Sequence, residues 1–137
     1  LSRTDSGAPG PMTEFSYEGT FLVVDDSVQI RRLVKRSLEH LGCEVFMASD
    51  GTEAVEIFRS HSKQLKAVIL DMMMTRMDGD EALGLMRAIR PDIPVVLMSG
   101  YMPEDVRARI EGDDPVFVLK KPFTYEALLS AVRKVLE

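Results

Sequence analysis

The chain has 137 residues, enough for one domain with a hydrophobic core, and its apolar (45%) and charged (28%) fractions are ordinary for a globular protein. One cysteine, Cys43, excludes a disulfide framework and a cysteine-based zinc site within a single chain. A net charge of −5 without a long basic run disfavours nucleic-acid binding, and no apolar run approaches the roughly 20 residues of a membrane helix.

The first 18 residues are predicted to have no structure of their own. Gly, Pro, Ser and Thr occupy eleven of the first 20 positions, a composition typical of linkers, and no apolar run of the signal-peptide kind occurs there. Two origins stay open for residues 1–18, a native interdomain linker and a cloning tail. The folded domain is predicted to comprise residues 19–137.

Short apolar runs rich in β-branched residues alternate with segments of helical spacing from Thr20 onward. Strands that alternate with helices predict a parallel sheet covered by helices on both faces. Continuous apolar runs are typical of strands buried on both sides. The five predicted strands are Phe21–Val24, Val45–Met47, Ala67–Leu70, Val95–Met98 and Val116–Leu119.

Five helices are predicted between and after these strands. The first runs from about Val28 to Leu41, and the second follows the turn at Asp50-Gly51. The third is stopped by Pro91, the fourth follows Pro103, and the fifth begins after Thr124 as its N-cap. The predicted apolar face of the first helix consists of Ile30, Leu33, Val34, Leu38 and Leu41.

Polar side chains occur at the carboxyl ends of four predicted strands. Asp25 and Asp26 follow the first strand, Asp71 follows the third, Ser99 ends the fourth and Lys120-Lys121 ends the fifth. Because the carboxyl ends of parallel strands lie at one edge of the sheet, these groups are expected to converge. Alone, the aspartate pair would be read as solvated charge at a helix start.

Three carboxylates in one pocket repel one another, and a hard divalent cation removes that cost. Mg²⁺ fits such a site because it takes one or two carboxylates, a carbonyl and several waters. A carboxylate held there can act as a nucleophile toward phosphorus and form an acyl phosphate, while a nearby lysine stabilises charge on the phosphoryl oxygens. The pattern therefore predicts Mg²⁺-dependent phosphoryl chemistry.

Four motifs, in this order and at these strand ends, resemble the signature of the receiver domain of two-component response regulators. The resemblance covers Thr20 to Glu137 and implies a CheY-like, flavodoxin-like (βα)5 fold. Its doubly wound, five-stranded parallel sheet would have the order 2-1-3-4-5, with helices on both faces. The motifs are Val23-Val24-Asp25-Asp26-Ser27, Leu70-Asp71-Met72-Met73-Met74 with Met77-Asp78-Gly79, Met98-Ser99-Gly100, and Lys121-Pro122-Phe123.

The resemblance implies that Asp71 is the phosphorylated aspartate. Asp26 and Asp71 would be ligands of Mg²⁺ together with the backbone carbonyl of Met73, and Asp25 would act mainly through water. These expectations make the acidic cluster both the nucleophile and the metal site.

The remaining roles fall to Lys121 and Ser99. Lys121, rather than Lys120, is expected to pair with Asp71 and then with its phosphoryl group, because the family's lysine directly precedes Pro122. The Lys121-Pro122 bond is expected to be cis. Ser99 is expected to be the switch hydroxyl, which is drawn toward the site after phosphorylation.

Several positions depart from the family pattern. Thr75 stands where a proline is usual, and Val118 stands where the family often has an aromatic switch residue. Phe117 is expected not to replace it, because neighbouring strand residues point to opposite faces. The resemblance places Met73 and Tyr101 where the family tunes access to the phosphoryl group, and because both are bulky, slow self-dephosphorylation is expected.

The expected partner is a histidine kinase or a phosphotransfer domain, with a cytoplasmic location and no direct contact with nucleic acid or membrane. The basic residues of the first helix are read as a solvated face, and the resemblance adds that this helix borders the kinase docking site. A homodimer through the fourth helix, fifth strand and fifth helix is an option that the family offers.

Several contexts stay open. The run Met98-Ser99-Gly100-Tyr101 and the lack of a domain after Glu137 favour the receiver of a hybrid sensor histidine kinase, and a stand-alone response regulator is the alternative. A Mg²⁺-dependent aspartyl-phosphate hydrolase is disfavoured because Met73 stands where such enzymes have a second aspartate. A docking module that has lost the switch is disfavoured by the complete set of polar groups.

Overall fold

A computed structural model describes residues 18–74, 76–111 and 115–136. The predicted unstructured segment 1–18 therefore lies outside the described residues except for Glu18, and so does Thr75. Within the described ranges, no helix is both long enough and apolar enough to cross a membrane.

Strands and helices alternate strictly along the chain, as the sequence predicts. The strands are β1 (Thr20–Val24), β2 (Glu44–Ala48), β3 (Leu65–Asp71), β4 (Val95–Ser99) and β5 (Val116–Lys120). The helices are α1 (Val28–His40), α2 (Gly51–His61), α3 (Gly79–Ile89), α4 (Glu104–Glu111) and α5 (Tyr125–Leu136).

All strand pairs are parallel, and the sheet order is β2-β1-β3-β4-β5. The predicted order 2-1-3-4-5 is thus confirmed. Val24 pairs with Leu70, and Ser99 pairs with Lys120. This register brings the carboxyl ends of β1 and β3, and those of β4 and β5, to the same level, so the residues that follow them meet at one edge.

The sheet separates two hydrophobic clusters, because successive side chains of each strand point to opposite faces. Leu22, Leu70 and Leu97 face the layer of α2, α3 and α4, where Phe58 and Met86 are fully buried. On the other face, the sheet side chains that pack against α1 and α5 are Phe21, Val23, Ala67, Ile69, Val96, Met98 and Leu119.

Side-chain caps fix where four of the helices begin. Ser27 Oγ accepts from the Ile30 N–H, and Asp50 and Asp78 accept from the N–H three residues further along. The predicted cap of α5 is present, since Thr124 Oγ1 accepts the Ala127 N–H at 3.0 Å. Such caps satisfy backbone donors that the first helical turn leaves unpaired.

The predicted apolar face of α1 is only partly buried. Val34 and Leu38 are fully buried, whereas the side chain of Leu33 is 46% exposed. Leu33 lies beside Ile30 and Phe123 in a shallow apolar depression between α1 and the β5–α5 loop. The apolar stripe of α1 is therefore wider than its contact with the sheet.

Cys43 is expected to react slowly with alkylating reagents in the native protein. The thiol is 6% exposed in the α1/α5 cluster, and burial raises its pKa from 9.0 to about 11. A shift of two units lowers the thiolate fraction near pH 8 about 100-fold, and only the thiolate reacts. Iodoacetamide labelling followed by mass spectrometry from pH 7 to 11 measures the rate.

The control is the same reaction in 6 M guanidinium chloride, where labelling should be fast and should rise with pH around the ordinary thiol pKa. A native rate equal to the denatured rate at pH 8 would contradict the burial of Cys43.

Candidate active site

Asp25, Asp26 and Asp71 form an acidic pocket at the carboxyl edge of the sheet. Each offers a carboxylate oxygen, and these oxygens all lie within 4.8 Å of one another. Asp25 and Asp71 are buried, whereas Asp26 is exposed. The structure thus brings together the three carboxylates that the sequence analysis selected.

Every polar group of Asp25 has a partner. Its N–H donates to the carbonyl of Ala48 at 3.2 Å, and its carbonyl accepts from Arg31 Nη1 at 2.7 Å. Oδ1 accepts the Ser27 N–H at 2.8 Å, and Oδ2 accepts from Lys121 Nζ at 2.7 Å. Asp25 is therefore a fixed part of the pocket floor, with 0% exposure.

Lys121 Nζ lies between the two buried carboxylates, 2.7 Å from Asp25 Oδ2 and 3.4 Å from Asp71 Oδ1. The expected contact of Lys121 with Asp71 is present, but its shorter contact is with Asp25. Lys120 is exposed and lines a different cavity together with Val118, as alternation along β5 requires. The Lys121-Pro122 peptide bond is cis, as expected.

The charges in the pocket shift two pKa values. Burial raises the pKa of Asp71, and the negative charge of Asp25 raises it further, while Lys121 and the Met73 N–H oppose the shift. Burial opposes the charged form of Lys121, but its hydrogen bond to Asp25 and the charges of both carboxylates outweigh this and raise its pKa. The two buried carboxylates and Lys121 therefore carry more negative than positive charge, and the carboxylates favour the protonated form of the lysine.

The loop after Asp71 is held by backbone contacts. The Met73 N–H donates to Asp71 Oδ1 at 3.2 Å, and the Gly79 N–H donates to the Met72 carbonyl at 2.9 Å. A Cβ on Gly79 would lie 2.5 Å from the carbonyl oxygen of Asp71 and 2.7 Å from the Met72 Cα. The motif that contains Gly79 does not by itself predict this close approach to the backbone of Asp71.

Ser99 is buried at the end of β4, and its hydroxyl donates to the Tyr101 carbonyl at 2.8 Å. It faces a cavity of about 250 Å³ on the α4 side of β5 that is also lined by Val118 and Arg107. Phe117 packs in the opposite cluster, where Lys134 Nζ lies 5.1 Å from its ring centroid. Phe117 thus does not occupy the space beside Val118, in agreement with the sequence argument.

The bulky side chains of Met73 and Tyr101 extend into solvent. Met73 is 70% exposed and Tyr101 is 79% exposed. Neither side chain belongs to the floor formed by Asp25, Asp71 and Lys121.

Residues 21–133 match the family model described as the response regulator receiver domain. The chain belongs to the response regulator receiver family. This receiver domain is 32% identical over 125 residues to the sensor kinase CckA of Brucella abortus (strain 2308). The match covers 91% of the chain and 13% of the kinase. It is 36% identical over 117 residues to the response regulator MprA of Mycobacterium sp. (strain KMS). This match covers 84% of the chain and 49% of MprA.

The fold of this receiver domain is similar to that of the chemotaxis protein CheY4 of Vibrio cholerae. The TM-score is 0.80 at 28% sequence identity, and the match covers 88% of the chain and 100% of CheY4. The chain spans about half of MprA and about an eighth of the sensor kinase. The part of MprA and of the sensor kinase that matches this chain is thus a receiver-sized segment of a longer protein.

The residues of the acidic pocket fit a hard divalent cation. Its ligands would be carboxylate oxygens, which Mg²⁺ prefers over sulfur or nitrogen. Two of the carboxylates are buried and share one ammonium group, so negative charge is left uncompensated. Asp26 is exposed beside them, which gives a hydrated ion access.

Proposed function

We propose that this receiver domain is a phosphoaccepting switch that takes a phosphoryl group from a phosphohistidine onto Asp71 with Mg²⁺. The observation that carries the proposal is the buried Asp71 carboxylate, which lies beside Lys121 and two further carboxylates. A phosphoryl group on Asp71 would lie within reach of the same ammonium group. Its donor would be a histidine kinase or a phosphotransfer domain.

In the proposed reaction an oxygen of Asp71 attacks phosphorus. The P–N bond of the donor breaks, and its electron pair stays on the imidazole nitrogen, which takes up a proton. Lys121 and the Met73 N–H both approach Oδ1 and fix the orientation of the carboxylate, and among the described residues they leave Oδ2 for the attack. Positioning and charge stabilisation are the main contributions that proteins make to phosphoryl transfer.

Asp26, Asp71 and the carbonyl of Met73 would hold Mg²⁺, and Asp25 would act through water while it holds Lys121. When bound, the ion neutralises charge on the carboxylates and on the phosphoryl oxygens. This assignment follows the family resemblance, and the clustered carboxylate oxygens support it.

We assign the switch to Ser99. Its hydroxyl now donates to the Tyr101 carbonyl, so a new bond to a phosphoryl oxygen requires the release of this contact. The release would free the β4–α4 loop and alter the α4–β5–α5 surface, which in this proposal carries the output and is available for a homodimer.

The apolar depression between α1 and the β5–α5 loop is the proposed docking surface of the phosphodonor. It is lined by Ile30, Leu33, Pro122 and Phe123, and by Lys121 of the active site. A helix that covered this depression would bring a histidine to the mouth of the pocket. The exposed Leu33 supports this assignment, since an apolar side chain on the surface suits a protein partner.

Similarity to the sensor kinase CckA supports the proposal that the domain is the receiver of a hybrid sensor kinase, which would place it in the cytoplasm at the inner face of the membrane. Similarity to the response regulator MprA supports the alternative, a response regulator receiver. In both contexts the domain is proposed to act on its partner without direct contact with nucleic acid or lipid.

The deciding experiment is intact-mass spectrometry after incubation with acetyl phosphate and Mg²⁺. The wild type is expected to gain one phosphoryl group, because Asp71 is the nucleophile. Asp71→Asn should gain none, and EDTA should abolish the gain by the wild type. A phosphorylated phosphotransfer domain as donor repeats the test with the proposed partner chemistry.

A folded wild type that gains no phosphoryl group from either donor would contradict the proposal and would favour a docking module. An equal gain by Asp71→Asn would contradict the assignment of Asp71. Multiple turnovers of an external phosphate ester would favour the hydrolase instead.

A further inference from the structure

Arg31 on α1 contacts the acidic pocket through the main chain. Its Nη1 donates to the carbonyl oxygen of Asp25 at 2.7 Å, and its own N–H donates to the Ser27 carbonyl at 3.0 Å. The side chain is half-buried, in contrast to Arg32 and Arg36 on the same helix, which are exposed. Arg31 is therefore not part of a uniformly solvated basic face.

The carbonyl that Arg31 holds belongs to the peptide unit between Asp25 and Asp26. A hydrogen bond to this oxygen restricts the rotation of the peptide plane and so the direction in which Asp26 leaves the chain. The far side of the loop is held by Asp25 Oδ1, which accepts the Ser27 N–H. Asp26 lies between these two fixed points.

Asp26 needs this support because its side chain is exposed, whereas Asp25 and Asp71 are buried and held by Lys121. The placement of the exposed carboxylate thus depends mainly on the backbone that carries it. A metal ligand must be held in position before the ion arrives, and groups outside the ligand set commonly provide this.

We propose that Arg31 is a positioning residue for the metal site: its guanidinium fixes the Asp25–Asp26 peptide and thereby aims the Asp26 carboxylate at the cation. This inference rests on the proposed function, since it requires the acidic pocket to bind Mg²⁺. Arg31 itself is not a ligand.

Electrostatics and positioning predict opposite results when Arg31 is neutralised. Removal of a positive charge near three carboxylates should tighten the binding of a cation. Loss of the hydrogen bond to Asp25 should weaken binding, because Asp26 is no longer held. The sign of the change in Mg²⁺ affinity therefore separates the two effects.

The test is isothermal titration calorimetry with Mg²⁺ on the wild type, Arg31→Met and Arg31→Lys. Arg31→Met should bind Mg²⁺ at least about 10-fold more weakly, as is usual when a group that orients a metal ligand is removed. Arg31→Lys keeps a long donor and should recover most of the affinity. Arg32→Met removes the same charge from the exposed face and should bind Mg²⁺ as tightly as the wild type or slightly more tightly.

Thermal unfolding without metal reports whether each variant is folded. If Arg31→Met does not fold, Arg31→Gln takes its place, because the shorter amide is also neutral and should show the same loss of affinity. Unchanged or tighter Mg²⁺ binding by the folded neutral variant overturns the inference and leaves the proposed function intact. A wild type that binds no Mg²⁺ overturns both, and that outcome is recognised before any variant is compared.

Discussion

Lys121→Met is expected to destabilise the metal-free domain by about 3 kcal/mol or more, the usual cost when one partner of a buried ion pair is removed. Asp25 is 0% exposed and loses the ammonium group 2.7 Å from its Oδ2, while Asp71 loses the same ammonium group 3.4 Å from its Oδ1. Methionine keeps the length and the apolar stem of the side chain, so the loss reports the charge. Urea unfolding at pH 7 measures the free energy of unfolding.

The same variant should accept a phosphoryl group about 100-fold more slowly, since it lacks the ammonium group that stabilises the charge developing on the phosphoryl oxygens. Mg²⁺ should recover part of the lost stability, because it replaces a positive charge in the pocket. Lys120→Met is the matched control. Lys120 is exposed and lines the other cavity, so both its stability and its phosphorylation should stay near the wild-type values.

If Lys121→Met were as stable as the wild type in the absence of metal, the stabilising role of the buried ion pair between Lys121 and Asp25 would be refuted. Equal losses of stability in Lys120→Met and Lys121→Met would show a general effect of net charge.

Gly79→Ala is expected to slow phosphorylation about 100-fold, the cost of an error of about 1 Å in a reacting group. The new methyl group would lie 2.5 Å from the Asp71 carbonyl oxygen, so the backbone that carries the nucleophile must shift. Overpacking of this kind also costs about 1–3 kcal/mol of stability. Acetyl phosphate kinetics and urea unfolding measure the two effects.

Gly84→Ala, in the same helix, is the matched control. Nothing lies within 4 Å of a Cβ at Gly84, which is exposed, so alanine should stabilise α3 by about 0.5–1 kcal/mol and leave phosphorylation unchanged. Normal phosphorylation kinetics of Gly79→Ala would mean that the loop yields without moving Asp71, and the proposed contact would have no functional weight.

The fold could be predicted from the sequence because parallel strands buried on both faces leave a clear pattern. Apolar runs such as Val95–Met98 are typical of interior strands, and the polar residues that follow parallel strands are expected to meet at one edge. The same regularity separates Lys120 from Lys121, since successive residues of an extended chain point to opposite faces.

Other features depend on details that the pattern does not carry. The closer contact of Lys121 with Asp25 than with Asp71 is set by side-chain rotamers. The bond from Arg31 to the Asp25 carbonyl and the approach of Gly79 to Asp71 arise from loop backbone, where sequence periodicity gives no information. Helical spacing predicts that Leu33 shares the apolar face of α1, but it does not show how far a neighbouring loop covers that face.

Met73, two residues after Asp71, and Tyr101, two residues after Ser99, have most of their surface in solvent, whereas Asp25 and Asp71 of the pocket floor are buried. Replacement of an exposed side chain costs little stability, whereas every change in the floor disturbs a buried charge. If Asp71 is phosphorylated as proposed and these two exposed side chains limit the approach of water, the formation and the lifetime of the acyl phosphate would depend on different residues. Substitutions at Met73 and Tyr101 would then change the lifetime of the phosphorylated state while the carboxylates and the lysine that form it stay the same.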